Sequence, residues 1–225
     1  MVHQSSLLPG IGLFAGAPQT SNLIQMAEYL ATVDSAAYWT EHMLQSELAA
    51  DHFVLLKRAL DWCSIDGLIL EFGVASGRTV NHLANLRPAQ TVFGFDSFQG
   101  LPEAWRPGFG KGRFAQFVPA VCTNVTLIEG LFENTLADFL ASRQDPVALL
   151  HIDCDLYSSC RFVLETLASR IGRGTIIVFD EYFNYPGWRN HEFKAFGEFV
   201  AVHDHVYDYL GLVPNHQQVC VRISM

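Results

Sequence analysis

Four acidic side chains follow two apolar runs of the chain and could together hold a metal ion. Asp153 and Asp155 come at the end of one run, and Asp180 and Glu181 come at the end of the next. Carboxylate oxygens are the ligands that a hard divalent cation such as Mg²⁺ prefers. Carboxylates that lie close together repel one another unless a cation or protons neutralise them. The same residues could instead be hydrogen-bonded carboxylates or helix caps, and Asp155 stands where it could cap the helix that follows.

A second pair of carboxylates brackets a glycine-rich turn. Glu71 ends an apolar run, the turn Gly73–Gly77 follows it, and Asp96 ends the next apolar run. Glycines in such a turn let the backbone approach a ligand closely, and a carboxylate at the position of Asp96 can accept hydrogen bonds from ribose hydroxyls. The Glu71 carboxylate would repel a diphosphate but would suit a cationic ligand. The two carboxylates together favour S-adenosylmethionine as the ligand.

Two other nucleotide-binding motifs are absent from the sequence. In the turn after Glu71, Ala75 stands where a dinucleotide-binding G-x-G-x-x-G motif has its second glycine. The segment Gly110-Lys111-Gly112 lacks the Ser or Thr of a phosphate-binding loop and follows no predicted strand. Two alternative functions stay open at this point. One is a metal-dependent hydrolase that uses the same carboxylates, and the other is a cofactor-binding protein without catalytic activity.

Composition restricts the class of protein. The 225 residues are 50% hydrophobic, which suffices for one core and one domain. A formal net charge of −9 without runs of like charge argues against nucleic-acid or anionic-membrane partners. The N-terminus lacks a basic signal region, and no apolar run approaches the ~20 residues of a membrane span, so we expect a cytoplasmic protein. The five cysteines, Cys63, Cys122, Cys154, Cys160 and Cys220, form no C-x-x-C pair, and we expect Cys154 and Cys160, which lie near the candidate site, to be small buried thiols.

The first part of the chain is predicted to be irregular up to Ser21 and then helical. Asn22 could cap a first helix with apolar residues at Leu23, Ile24, Ala27 and Leu30, and a second helical stripe contains Leu48, His52, Phe53, Leu56 and Leu60. We expect residues 1–64 to form a helical cap that packs beside or over a cofactor pocket in the core, residues 65–225. A homodimer through these helices is plausible.

Strands and helices alternate in the rest of the chain. Seven strands are predicted, at Gly67–Glu71, Thr91–Asp96, Asn124–Glu129, Val147–Asp153, Thr175–Asp180, Val206–Leu210 and Gln218–Ile223. Helices are predicted at Arg78–Leu86, Asn134–Ser142 and Leu156–Arg170, and around Phe193, Phe196, Gly197 and Val200. Short apolar strands without alternation indicate a parallel sheet covered on both faces. The connection between the last two strands is too short for a crossover helix, so these strands should be antiparallel.

With these residues in place, the chain resembles the macrocin O-methyltransferase-like family of S-adenosylmethionine-dependent enzymes. The resemblance covers roughly residues 65–200. The matching segments are Glu71–Val74, Gly94–Pro102, Gly130–Leu136 and His151–Tyr157. It implies a class I methyltransferase (Rossmann-like) fold, an α/β architecture with a mostly parallel seven-stranded sheet, a C-terminal antiparallel hairpin and N-terminal helices. It also implies methylation of a hydroxyl on a small natural product, such as a sugar or a phenolic compound.

The resemblance also implies roles for individual residues. Residues around the cofactor would be Glu71, Gly73, Val74, Ala75, Ser76 and Gly77 at its methionine end, Asp96, Ser97 and Phe98 at its ribose and nucleoside, and Glu129, Gly130, Leu131 and Phe132 near its adenine. Asp153 would lie beside the cofactor and bind Mg²⁺ together with Asp180 and Glu181. Glu181 departs from the family pattern, in which metal-using relatives have a second aspartate.

Methyl transfer to a hydroxyl needs a base, a metal or both, because a hydroxyl is a poor nucleophile at neutral pH. The resemblance assigns the base to Asp155. His191, which follows an aromatic segment, is a second candidate, and His151, which lies in an apolar strand, is expected to be a core histidine. Aromatic residues in two loops could flank the acceptor, at Trp105, Phe109, Phe114, Phe117, Tyr185 and Trp188.

Overall fold

A single mixed sheet organises the protein, whose computed structural model describes residues 20–225. Its eight strands are β1 (Glu47–Leu48), β2 (Leu68–Phe72), β3 (Val92–Asp96), β4 (Val125–Glu129), β5 (Val147–Ile152), β6 (Ile176–Phe179), β7 (Tyr207–Leu212) and β8 (Val219–Ile223). The irregular segment predicted before the first helix lies outside the described residues, except for Thr20 and Ser21.

The strand order is β1-β7-β8-β6-β5-β2-β3-β4. All neighbouring strands are parallel except β8, which is antiparallel to both β6 and β7. The chain runs outward from β2 through β3 to β4 and then returns to place β5 on the other side of β2. The strand order therefore reverses between β2 and β5, and the carboxyl ends of strands at such a point form a crevice where ligands bind.

Six α-helices of the described residues surround the sheet, at α1 (Leu23–His42), α2 (His52–Trp62), α3 (Arg78–Leu86), α4 (Phe132–Ala141), α5 (Tyr157–Thr166) and α6 (Glu192–Val202). Helices α2 and α3 pack together on one face, whereas α4, α5 and α6 pack in a row on the other. Strands β2, β5 and β6 are buried along their whole length because helices cover both faces. No helix within residues 20–225 has both the length and the apolar character that a bilayer span requires.

The predicted class of fold is confirmed, with one additional strand. The extra strand β1 is only two residues long and pairs in parallel with β7, so it leaves no periodic pattern in the sequence. The prediction that Leu48 lies on the stripe of the second helix is wrong, because Leu48 belongs to β1. That helix begins at His52, where the Asp51 carboxylate caps it by accepting the N–H of Val54 at 2.9 Å.

The ends of two other helices show what local sequence can and cannot determine. Asn22 caps α1 as predicted, since its side chain accepts the N–H of Ile24 at 2.9 Å. The helix predicted to reach Arg170 is shorter: α5 ends at Thr166, and a separate 3₁₀ turn spans Ala168–Arg170. Leu167 is fully buried between the two elements, so its packing continues the apolar stripe after the α-helix has ended.

Candidate active site

A cavity of about 290 Å³ opens at the carboxyl ends of β2, β3, β4 and β5. It lies at the point where the strand order reverses, which is where ligands bind in open α/β sheets. The residues that line it are Gly73, Ala75, Asp96, Ser97, Gly100, Leu101, Pro102, Phe114, Gly130, Leu131, Phe132, Glu133, Asp153, Cys154, Asp155, Ser159 and Glu181. The acidic strand ends that are far apart in the sequence therefore meet around one space.

Gly73 begins the turn after β2 and allows two strand ends to touch. Its φ angle is +96°, and a Cβ atom built on it would lie 1.7 Å from the carbonyl oxygen of Asp153. No side chain can occupy that position without moving the backbone that follows β5. Only glycine therefore permits this close approach of the two strand ends.

The Asp96 carboxylate fixes the shape of the same turn. Its Oδ2 accepts the backbone N–H groups of Val74 at 2.9 Å and Ala75 at 2.8 Å, and its Oδ1 accepts that of Phe98 at 2.7 Å. These bonds support positive φ angles of +44° at Ala75 and +54° at Phe98, which lie in a backbone region that residues other than glycine seldom adopt. A carboxylate has about four acceptor positions, so Asp96, which lines the cavity, retains capacity for a ligand donor.

Asp155 adopts a strained conformation at the cavity wall. Its φ angle is +61°, and the N–H of Leu156 donates to the carbonyl of Cys154 at 2.6 Å across it, which closes a three-residue turn of a rare type. The interpretation of Asp155 as a helix cap is wrong, since Leu156 occupies the N-cap of α5 and no side chain caps that helix. Burial and the charge of Asp180 raise the pKa of Asp155 to about 7, although the Arg106 guanidinium acts in the opposite direction. Such strain is typical of functional positions.

Asp153 and Asp180 form the centre of a group of possible metal ligands. Each of them and His151 offers one ligand atom, and these atoms lie within 4.8 Å of one another. Burial, together with the charges of Asp180 and Asp155, raises the pKa of Asp153 well above its ordinary value. Carboxylates so arranged need protons or a cation to neutralise them, and two carboxylates with an imidazole are suitable donors for a divalent metal.

Glu181 lies close to the same group. Burial and the charges of Asp180, Asp155 and Asp153 raise the pKa of its carboxyl group well above the ordinary value. Its Oε2 is buried and has no hydrogen-bond partner among residues 20–225. A buried carboxylate oxygen without a partner is costly unless a ligand, a cation or a proton satisfies it, and the side chain lines the cavity.

Glu71 lies behind the cavity wall rather than on it. The side chain is fully buried, its Oε1 accepts the Thr79 hydroxyl at 2.9 Å, and its Oε2 lies 2.9 Å from Nδ1 of His151. Burial lowers the pKa of His151, but the hydrogen bond and charge of Glu71, together with the charge of Asp180, outweigh this effect and raise it. His151 is thus a buried histidine with a hydrogen-bond partner, as the sequence indicated. Its other ring nitrogen remains for the possible metal site beside Asp153 and Asp180.

The predicted cofactor residues divide into two groups. Those that line the cavity are Gly73, Ala75, Asp96, Ser97, Gly130, Leu131, Phe132 and Asp153, and those that do not are Glu71, Val74, Ser76, Gly77, Phe98 and Glu129. Several of the second group shape the turns that the first group lines: Val74 N–H binds Asp96, and Gly77 provides the left-handed N-cap of α3. Asp155 and Glu181 also line the cavity, whereas His191 does not.

His191 instead belongs to an aromatic cluster beside the cavity. Its ring centroid lies 6.1 Å from those of both Trp105 and Tyr185, and its Nδ1 is buried without a partner in the described part of the chain. Burial and the Arg106 guanidinium lower the pKa of His191. Of the aromatic residues expected to flank the acceptor, Phe114 lines the cavity, Trp188 is buried beneath α1, and Phe117 is 96% exposed.

Several residues that line the cavity were not predicted to bind a ligand, namely Gly100, Leu101, Pro102, Glu133, Cys154 and Ser159. All of them except Ser159 lie in segments that carry the family resemblance, Gly94–Pro102, Gly130–Leu136 and His151–Tyr157, so the family pattern contained a signal for them. Ser159 lies inside α5 and carries no local signal, because its position at the cavity depends on how that helix packs across β5.

Comparisons with known proteins agree with this geometry. Residues 70–182 match the model of a family described as a methyltransferase domain. The solved structure of CalS11, calicheamicin methyltransferase, is 26% identical over 76% of this chain and 78% of that chain, with a TM-score of 0.63. A second structure of CalS11, described as a TDP-rhamnose 3′-O-methyltransferase, is 25% identical over the same shares, with a TM-score of 0.57.

A third solved structure, that of the O-methyltransferase NovP, shows the same fold at 19% identity over 77% of this chain and 80% of that chain, with a TM-score of 0.59. The comparison with curated proteins gave no match. The matched family segment begins in β2 and ends just after Glu181, and it therefore contains every strand end around the cavity.

Proposed function

The chain belongs to the methyltransferase domain family, and we propose that it transfers the methyl group of S-adenosylmethionine to a hydroxyl group of a small natural product. The observation that carries the proposal is that one cavity is lined both by the turn that Asp96 fixes and by the carboxylate of Asp155, whose backbone is strained. The description of CalS11 as a TDP-rhamnose 3′-O-methyltransferase favours a sugar hydroxyl over a phenolic one as the acceptor.

The residues of the cavity fit the methyl donor. S-adenosylmethionine, when bound, supplies a methyl carbon attached to a positively charged sulfur. A nucleophile can attack this carbon in line with the bond to sulfur, and the sulfur is the leaving group. Asp96 has acceptor capacity left for the ribose hydroxyls after it has bound three backbone N–H groups. The carboxylate of Asp153 favours the positive charge of the ligand, and Gly73 lets the backbone approach it closely.

Asp155 is the proposed general base. Its carboxylate lines the cavity, and the turn between Cys154 and Leu156 holds it in a conformation that few residues other than glycine adopt. A carboxylate oxygen of Asp155 would accept the proton of the acceptor hydroxyl as the hydroxyl oxygen becomes methylated. A positioned base of this kind contributes roughly 10²–10⁴-fold to the rate.

Mg²⁺ is the proposed second cofactor. The ligand set that we propose is Asp153, Asp180 and Glu181, because Mg²⁺ prefers oxygen ligands and the buried Oε2 of Glu181 has no other partner in the described residues. His151 lies within reach of Asp153 and Asp180, and its contact with Glu71 is the arrangement that orients metal-ligating histidines. A bound Mg²⁺ would lower the pKa of the acceptor hydroxyl.

Methyl transfer from labelled donor tests the proposal. The protein would be incubated with S-adenosylmethionine that carries an isotopic label in its methyl group, with Mg²⁺ and with a panel of sugar nucleotides, glycosides and phenols. We expect label in the O-methylated product of at least one acceptor. Metal-dependent hydrolysis of ester substrates together with no binding of the donor would overturn the proposal.

A further inference from the structure

A positively charged loop, residues 105–114, adjoins the cavity, and its last residue, Phe114, lines it. This basic rim loop contains Arg106, Lys111 and Arg113 and no acidic residue, although the whole chain has a formal net charge of −9. None of the three cations forms an ion pair with a carboxylate of residues 20–225. Their charges are therefore available to a ligand, although the charge of Arg106 also acts on Asp155 and His191.

Backbone hydrogen bonds attach the basic rim loop to the cavity wall. The N–H of Leu101, a lining residue, donates to the carbonyl of Arg113 at 2.9 Å, and the N–H of Gly112 donates to the carbonyl of Leu101 at 2.9 Å. The contact requires glycine at position 100, where φ is +75° and a Cβ atom would lie 2.3 Å from the carbonyl oxygen of Arg113. The last residue of the loop, Phe114, itself lines the cavity.

Three aromatic rings hold Arg106. Its guanidinium carbon lies 3.9 Å from the ring centroid of Trp105, 4.7 Å from that of Phe109 and 4.7 Å from that of Tyr185. Its Nε is buried, and nothing in residues 20–225 accepts a hydrogen bond from it. Contacts with ring faces leave the N–H donors of a guanidinium free, and these donors match the oxygens of a phosphate group.

We propose that the acceptor carries a phosphate group, as in a sugar phosphate or a nucleoside diphosphate sugar, and that the basic rim loop binds it. This inference rests on the proposed function. The carboxylates of Asp153, Asp155 and Glu181 also line the cavity, and their negative charges would repel a phosphate. A phosphorylated acceptor therefore binds in one orientation, with its phosphate at the rim and its neutral hydroxyl toward Asp155.

Calorimetry with two phosphorylated probes tests this inference. Glucose 1-phosphate and UDP-glucose would be titrated into the protein with S-adenosylhomocysteine bound and with EDTA present, so that no metal bridges the phosphate to the carboxylates. We expect at least one probe to bind, and we expect Arg113→Gln and Arg106→Gln each to weaken that binding by about tenfold or more. The matched control is Arg173→Gln, which removes an exposed cation before the amino end of β6, whereas the cavity lies at the carboxyl ends of the strands.

Arg113 is exposed, so its substitution keeps the test valid even if Arg106→Gln impairs folding. Tighter binding of UDP-glucose than of glucose 1-phosphate would support a nucleotide sugar, and equal binding would support a sugar phosphate. The inference is overturned if neither probe binds, or if both arginine variants bind a probe as tightly as Arg173→Gln does. S-adenosylhomocysteine binding is measured first, so failure of the proposed function would be seen separately as failure of that step.

Discussion

Nδ1 of His151 lies 2.9 Å from Oε2 of Glu71, and both side chains are buried. The contact joins β5 to β2 directly behind the cavity, with Thr79 of α3 as the second partner of the carboxylate. Because His151 also neighbours Asp153 and Asp180, this pair connects the strand that precedes the glycine turn with the candidate metal ligands.

Glu71→Gln should therefore lower the free energy of unfolding by about 1–3 kcal/mol in the presence of EDTA. The pKa of His151 is raised in the folded state, so the stability that the pair contributes is present below the unfolded pKa of about 6.5 and is lost as pH rises through the folded pKa. The loss in the variant should be larger at pH 6 than at pH 9, as measured by urea denaturation. Glu165→Gln breaks the exposed contact with His203 and should cost less than about 1 kcal/mol. Equal effects of the two substitutions would contradict the assignment.

Gly73→Ala should destabilise the protein by at least about 2 kcal/mol and abolish binding of S-adenosylmethionine. The new Cβ would collide with the carbonyl of Asp153, and the residue would keep a φ angle that disfavours side chains. Gly197→Ala is the matched control. Gly197 lies inside α6, a Cβ atom there would meet no neighbouring atom within 4 Å, and alanine should stabilise the helix by about 0.5–1 kcal/mol. Thermal denaturation and calorimetry measure the two effects, and normal cofactor binding by Gly73→Ala would contradict the close-approach role.

Asp155→Asn should reduce kcat by about 10²–10⁴-fold with the acceptor identified in the methyl-transfer assay. An asparagine side chain cannot accept the proton, but it preserves size, so the dissociation constant for S-adenosylmethionine should stay within about twofold. Asp66→Asn, at an exposed position before β2, serves as the control and should leave both quantities unchanged. Turnover by Asp155→Asn at the wild-type rate would remove Asp155 from the mechanism.

Glu192→Gln should make the protein more stable than wild type at pH 8 but not at pH 5. Burial and the neighbouring Cys154 raise the pKa of Glu192 well above its ordinary value, although the N–H of Glu181, which donates to its Oε2 at 3.0 Å, acts in the opposite direction. The folded state therefore holds a proton that the unfolded chain releases above about pH 4.3, and stability falls as pH rises. Gln keeps the acceptor for Glu181 and cannot ionise. Parallel curves of stability against pH for the two proteins would show that Glu192 does not contribute to this slope.

Much of the fold could be predicted because strands and turns carry local signals. The apolar runs that end in Glu71, Asp96 and Asp153 predicted three strands to within one or two residues, and the reversal of strand order then brought their ends together. Strand β1 left no such signal, since its two residues are exposed and depend on the edge of β7 for pairing.

The site could be predicted only as far as each residue acts alone. The glycine turn is recognisable from residue type and spacing, and the family resemblance implies the role of Asp155. The pairing of Glu71 with His151 joins residues 80 positions apart and follows only from the register of β2 against β5. The aromatic surroundings of Arg106 likewise combine the loop after β3 with Tyr185, which follows β6. Tertiary packing determines these contacts, and no pattern in either segment contains them.

The affinity of S-adenosylmethionine for the wild-type protein and for Asp96→Asn, measured by calorimetry in EDTA, tests whether this cavity binds the methyl donor. Asp96 lines the cavity, its Oδ2 fixes the turn Gly73–Gly77, and its Oδ1 holds the N–H of Phe98, so the loss of one acceptor oxygen should weaken binding by about tenfold or more. Asp138→Asn, which changes an exposed carboxylate on α4, should bind as the wild type does. No binding to the wild-type protein, or equal binding by Asp96→Asn and the wild type, would contradict the assignment of this cavity to the methyl donor.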